Sequence, residues 1–105
     1  MFTQNDSLEY ARNFLIKIKG KGINIKYAIL FGSYARGNQT EHSDIDIALA
    51  ADEFTGFGFN DMKSFARELV EFYYIQPKTY STKYFEKGDP FIKEIKKTGI
   101  ELNVN

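Results

Sequence analysis

Two aspartates stand one residue apart inside an otherwise apolar run, "DIDIALA" at residues 44–50, and no other feature restricts the chain so tightly. Aspartate is depleted in strands and costly to bury without a partner, so a segment that only had to pack would not carry two of them. Alternation sets Ile45 and Ile47 on one face and Asp44 and Asp46 on the other, with the aspartate Cα atoms about 7 Å apart at ~3.3 Å per residue. Two carboxylates so placed repel each other unless a cation lies between them. Oxygen ligands of this type suit hard ions such as Mg²⁺ or Mn²⁺, and two ions about 3.5–4 Å apart could clamp the attacking and leaving oxygens of a phosphoryl transfer.

The preceding segment supplies a second half to that site. "KYAILF", residues 26–31, reads as a short buried strand that stops at Gly32-Ser33 and opens into a helix at "YARG". Such a turn aims backbone N–H groups and the Ser33 hydroxyl at one point, where a phosphate can bind, and Gly32 permits close approach. It is not a P-loop, since no Lys-Ser/Thr pair follows at the required spacing. Arg36 is either a phosphate contact or one half of a structural ion pair.

The remaining elements form one small domain, residues 1–105. A first helix starts at a capping-box-like Asp6 and Glu9, buries Leu8, Ala11, Leu15 and Ile18, and ends at Gly20. Residues 52–60 read as a loop, with Phe54, Phe57 and Phe59 as core plugs or a docking patch. Met62, Phe65, Ala66 and Leu69 mark a short helix behind a cap at Asn60 or Asp61, and "VEFYYI", residues 70–75, is expected as the third strand. Asp89-Pro90 starts a last helix that Gly99 stops, and "IELNV" adds an edge strand. His42 reads as a solvated loop residue and Tyr34 as surface packing or a platform for a base.

Composition excludes several classes. Fourteen basic residues balance fourteen acidic ones, which argues against nucleic acid as the main partner. The chain has no cysteine, hence neither a disulfide framework nor a thiolate metal site. The first twenty residues mix charge throughout and no run approaches a membrane span, so a cytoplasmic protein without membrane contact is expected.

"GSYARG", six residues, then "DID" resembles the signature of the DNA polymerase beta superfamily of nucleotidyltransferases, specifically the minimal nucleotidyltransferases. "VEFYYIQP" and "DPFIKEIKKTGIEL" look like that family's third catalytic strand and its closing helix and strand, so the resemblance covers nearly all of the chain after the first helix. It implies an α+β polymerase beta-like fold, a small mixed sheet with helices mainly on one face. It implies Asp44 and Asp46 as catalytic metal ligands, Glu71 as the third acid of the set, and Gly32 and Ser33 on the triphosphate of ATP or another nucleoside triphosphate, where Arg36 joins them if it is a phosphate contact. Minimal nucleotidyltransferases are commonly paired with a small all-helical HEPN-type protein as antitoxin and toxin, and the transfer of AMP to a partner tyrosine silences it. The core elements fill the chain and leave no acceptor domain, which favours a partner protein as acceptor. The rival readings are a non-catalytic antitoxin that works by contact, and a homodimer whose second copy completes a pocket for a small molecule.

Overall fold

The computed structural model describes residues 2–105. Helix α1 (Gln4–Lys19) is capped by Thr3: its hydroxyl accepts from the Asp6 N–H at 3.0 Å and the Asp6 carboxylate accepts from the Thr3 N–H at 3.1 Å. The cap therefore falls on Thr3 rather than on Asp6, which is the reciprocal partner of the same capping box. The helix buries Ala11, Phe14, Leu15 and Ile18 against the sheet and ends at Gly20. Strand β1 (Ile25–Phe31), the single-turn helix α2 (Ser33–Arg36) and strand β2 (Ile45–Ala51) follow. β2 runs antiparallel to β1, with Phe31 opposite Asp46.

The next segment departs from the expected order. Helix α3 (Gly58–Met62), a 3₁₀ turn at Lys63–Phe65 and helix α4 (Ala66–Glu71) precede β3, which spans Ile75–Ser81 and not residues 70–75. Residues 70–71 still belong to the helix, which the Phe72 N–H closes by donating to the Glu68 carbonyl at 2.8 Å. The aromatics that suggested a strand have other uses: Phe72 packs edge-on against Phe14 and Tyr10, and the Tyr74 carbonyl accepts the Ile45 N–H at 2.9 Å. The second of these contacts starts the parallel pairing of β3 on β2. A helix α5 (Thr82–Lys87), without a clear sequence signal, precedes α6 (Pro90–Thr98), whose Asp89 cap accepts the Ile92 N–H at 2.7 Å as expected. β4 (Ile100–Glu101) closes the sheet against β1.

The strand order is β3-β2-β1-β4, a mixed sheet in an α+β fold. The larger core lies on the face that takes Ile45, Ile47 and Leu49 from β2, under α1 and the Phe65 and Phe72 rings. Ala48 and Ala50 point to the opposite face, where their small side chains let Phe85 of α5 and Ile92 and Ile95 of α6 settle on the sheet. Gly99 is needed there: a Cβ would run into the Ile29 side chain and the Leu30 carbonyl. No helix of the described residues is long and apolar enough to cross a membrane.

Asp61 is not a helix cap but a buried staple. Its carboxylate accepts from the Thr55 N–H (2.8 Å), the Thr55 hydroxyl (3.0 Å), the Gly56 N–H (3.0 Å) and the Thr79 hydroxyl of β3 (2.7 Å). Burial alone would raise its pKa, but the donors from Thr55, Thr79 and Gly56 outweigh that and hold it below the usual carboxylate value. Asp61→Ala strands these donors, each costing ~1–3 kcal/mol, and should lower the melting temperature by on the order of 10 °C. Because the folded pKa is depressed, this contribution is present above the ordinary carboxylate value. It is lost as pH falls through the folded value, so the gap between wild type and Asp61→Ala in thermal unfolding should narrow below about pH 4.

Candidate active site

The end of β1 and the start of β2 meet at Gly32. Its backbone has φ +78° and ψ −152°, a conformation that L side chains rarely adopt, and a Cβ there would overlap the Asp46 carboxylate. The antiparallel register, which sets Phe31 opposite Asp46, is what delivers that carboxylate to the turn. α2 is held from outside the sheet: the Gln4 side-chain amide of α1 donates to the Tyr34 carbonyl at 2.9 Å and to the Ala35 carbonyl at 3.3 Å. Tyr34 itself is buried in the main core, so neither a surface-packing nor a base-stacking role fits it. Ser33 opens α2 and is half-buried; Arg36 closes it and is exposed.

Asp44 lies immediately before β2 and is exposed, while Asp46 is half-buried. Burial pushes the Asp46 carboxyl above the usual range, the Asp44 charge pushes the same way, and the Arg36 guanidinium opposes both. The structure thus gathers Gly32, Ser33, Arg36, Asp44 and Asp46 at one end of the sheet. The Asp46 carboxylate against Gly32, with the Asp44 carboxylate near enough to act on it, supplies oxygen donors of the kind hard divalent ions take, so the residues fit Mg²⁺ or Mn²⁺.

Glu71 does not join them. It is the last residue of α4, exposed, with its carboxylate 3.9 Å from the Lys17 ammonium of α1. The expectation of Glu71 as third acid fails with the strand assignment that carried it. The position beside Asp46 on β3 holds Gln76, and Lys78 follows on the same face beside Ala48. Among the described residues no group of three or more His, Cys, Asp or Glu is placed to hold a metal ion. Only the register identifies Gln76; a lone glutamine ahead of a proline carries no sequence signal of its own. His42 is exposed in its loop as expected, Phe54 is buried in the core, and Phe57 and Phe59 are exposed.

A cleft of about 500 Å³ opens further along the same face of β3, lined by Lys78, Tyr80, Tyr84, Phe91 and the Thr55–Phe57 loop. Phe91 ties it to the site, since its ring meets Phe31 edge-on at 5.9 Å and carries the Lys78 ammonium 5.3 Å from its centre.

With the carboxyl of Asp46 raised in the folded state, its ionised form opposes folding. That cost is absent below the ordinary carboxylate value and develops as pH rises through the folded one. Asp46→Asn should therefore melt no lower than wild type at pH 7 in chelator, and the difference should shrink as pH falls to about 4; Gly32→Ala should lower the melting temperature at every pH.

Comparison with known proteins agrees with this geometry. The family described as "Polymerase beta, Nucleotidyltransferase" matches residues 13–104. Two proteins of Methanocaldococcus jannaschii, each named "Putative protein adenylyltransferase", are similar in sequence. One is 42% identical over 74 residues, 69% of this chain and 67% of its own length. The other is 60% identical over 37 residues, 35% of this chain and 36% of its own length, so the match spans about a third of that relative. In structure, a chain from Sulfolobus solfataricus described as a "putative nucleotidyltransferase" superimposes with a TM-score of 0.66 at 22% identity, over 93% of this chain and 80% of that one, a likeness of fold. With the signature, the sheet order and the turn in agreement, the chain belongs to the polymerase beta nucleotidyltransferase family.

Proposed function

We propose that the chain transfers a nucleoside monophosphate, AMP from ATP, to a hydroxyl on a partner protein in the cytoplasm. The observation that carries this reading is the Asp46 carboxylate packed against Gly32, which unites the acid pair with the turn in one site. The names of the two archaeal relatives support the choice of adenylyl group and protein acceptor. Ser33 and the backbone N–H groups of the turn hold the triphosphate, and Arg36, exposed beside Asp46, adds a guanidinium to its charge. Asp44 and Asp46 hold the divalent ion, which when bound offsets the charge of the triphosphate. The acceptor oxygen bonds to the α-phosphorus as the bond to pyrophosphate breaks and the hydroxyl proton leaves to water, so the protein's contribution is alignment and fixed charge.

The resemblance to minimal nucleotidyltransferases supports a small all-helical HEPN-type protein as the partner, with this chain as its antitoxin. A second reading, an antitoxin acting by contact alone, is favoured by one observation: no third acid stands with Asp44 and Asp46 among the described residues.

Incubation with labelled ATP, Mg²⁺ and the helical partner should label the partner, and Asp44→Asn with Asp46→Asn should slow labelling at least ~10²-fold. Equal labelling by both proteins overturns the catalytic reading. If the double variant labels nothing yet neutralises the partner in cells, contact is the mechanism.

A further inference from the structure

We infer that Gln76 makes this a site for one divalent ion rather than two, an inference that rests on the proposed nucleotide-dependent function. In a parallel pair, residues in register point to the same face, and the agreement of the neighbouring pairs bears this out. Ile45 and Ile75 share the main core; Ala50 and Tyr80 share the core under α5 and α6. Gln76 therefore projects beside Asp46, at the β3 position in register with the acid pair. It brings a neutral amide, whose oxygen can ligate but offsets no charge.

The supply of anionic protein ligands then sets the count. Asp44 and Asp46 suffice for one hard divalent ion, and a second beside it would find no further carboxylate among the described residues to fix it. The positive groups nearby disfavour it further. The Arg36 guanidinium already acts on Asp46, and Lys78 is the next residue along β3 on the same face. The acids to either side of β3 are engaged elsewhere: Glu71, at the end of α4, is turned to Lys17 of α1, and Asp89 accepts from the Tyr84 hydroxyl and the Ile92 N–H. The bound triphosphate brings negative charge of its own, so what a second ion lacks is not charge but a protein carboxylate to hold it beside the first.

Two ions about 3.5–4 Å apart couple magnetically, so Mn²⁺ reports the count directly. The experiment is a Mn²⁺ titration of the chain with a non-hydrolysable ATP analogue, followed by calorimetry and electron paramagnetic resonance. Wild type should bind one ion with the spectrum of an isolated Mn²⁺. Gln76→Asp and Gln76→Glu place a carboxylate at an exposed position that the fold does not depend on, and at least one should bind a second ion with a coupled spectrum. Two ions on the wild-type chain overturn the inference while leaving the transferase reading intact. A count of one in all three proteins also overturns it, because Gln76 would not then be the limiting residue. If wild type and Asp44→Asn, Asp46→Asn bind ion and nucleotide equally, the reading of the site itself fails and the inference with it.

Discussion

The contact between the Asp46 carboxylate and the backbone of Gly32 is the constraint on which the rest of the molecule depends. It requires a residue without Cβ at a positive φ, an antiparallel register that sets Phe31 opposite Asp46, and a sheet whose other face is apolar enough to hold that register. A one-residue slip of β2 would turn Asp44 and Asp46 into the main core and put Ile45 and Ile47 in water, an exchange of two buried isoleucines for two buried charges. The alternation that identifies the site thus also protects it. Stability and site geometry are set by the same side chains.

The two faces of the sheet divide the work. Under α1 and α4 the packing is aromatic and deep, with Phe14 in edge-on contact with Phe65 and Phe72, and the buried polar residues among those described are Ser7 and the Asp61–Thr79 pair of the staple. Under α5 and α6 the packing is shallower, over Ala48 and Ala50, and it stops short of Asp46, so the sheet surface emerges from the core where the carboxylates stand. The Asp61 network joins the Thr55–Gly56 loop to β3 through Thr79 and fixes one wall of the cleft.

Much of this was legible in the residues. The signature over 32–46, the amphipathic stripe of α1 and the Asp89-Pro90 start of α6 are local signals, and the fold honours each of them. Glu71 and the third strand were misread for one reason. "VEFYYI" has strong β-propensity, while the true β3, "IQPKTYS", contains glutamine, proline and lysine and has little. Its pairing is decided by β2, a neighbour that is apolar but for Asp46, so tertiary context overrides local preference. The signature itself said nothing of Gln76, because a residue's place beside Asp46 depends on the register between strands thirty residues apart.

Pro77 has a consequence for how other chains can meet this one. β3 is an edge strand, and since Tyr74 gives its carbonyl to Ile45, alternation turns the backbone of Pro77 to the open side, where proline offers no N–H. The opposite border is β4, only two residues long, which covers Ile29 and Leu30 of β1. The β3 margin is thus a poor template for a visiting strand. Recognition along it runs through side chains and shape, and an unfolded neighbour that tried to zip onto it would meet a gap at Pro77.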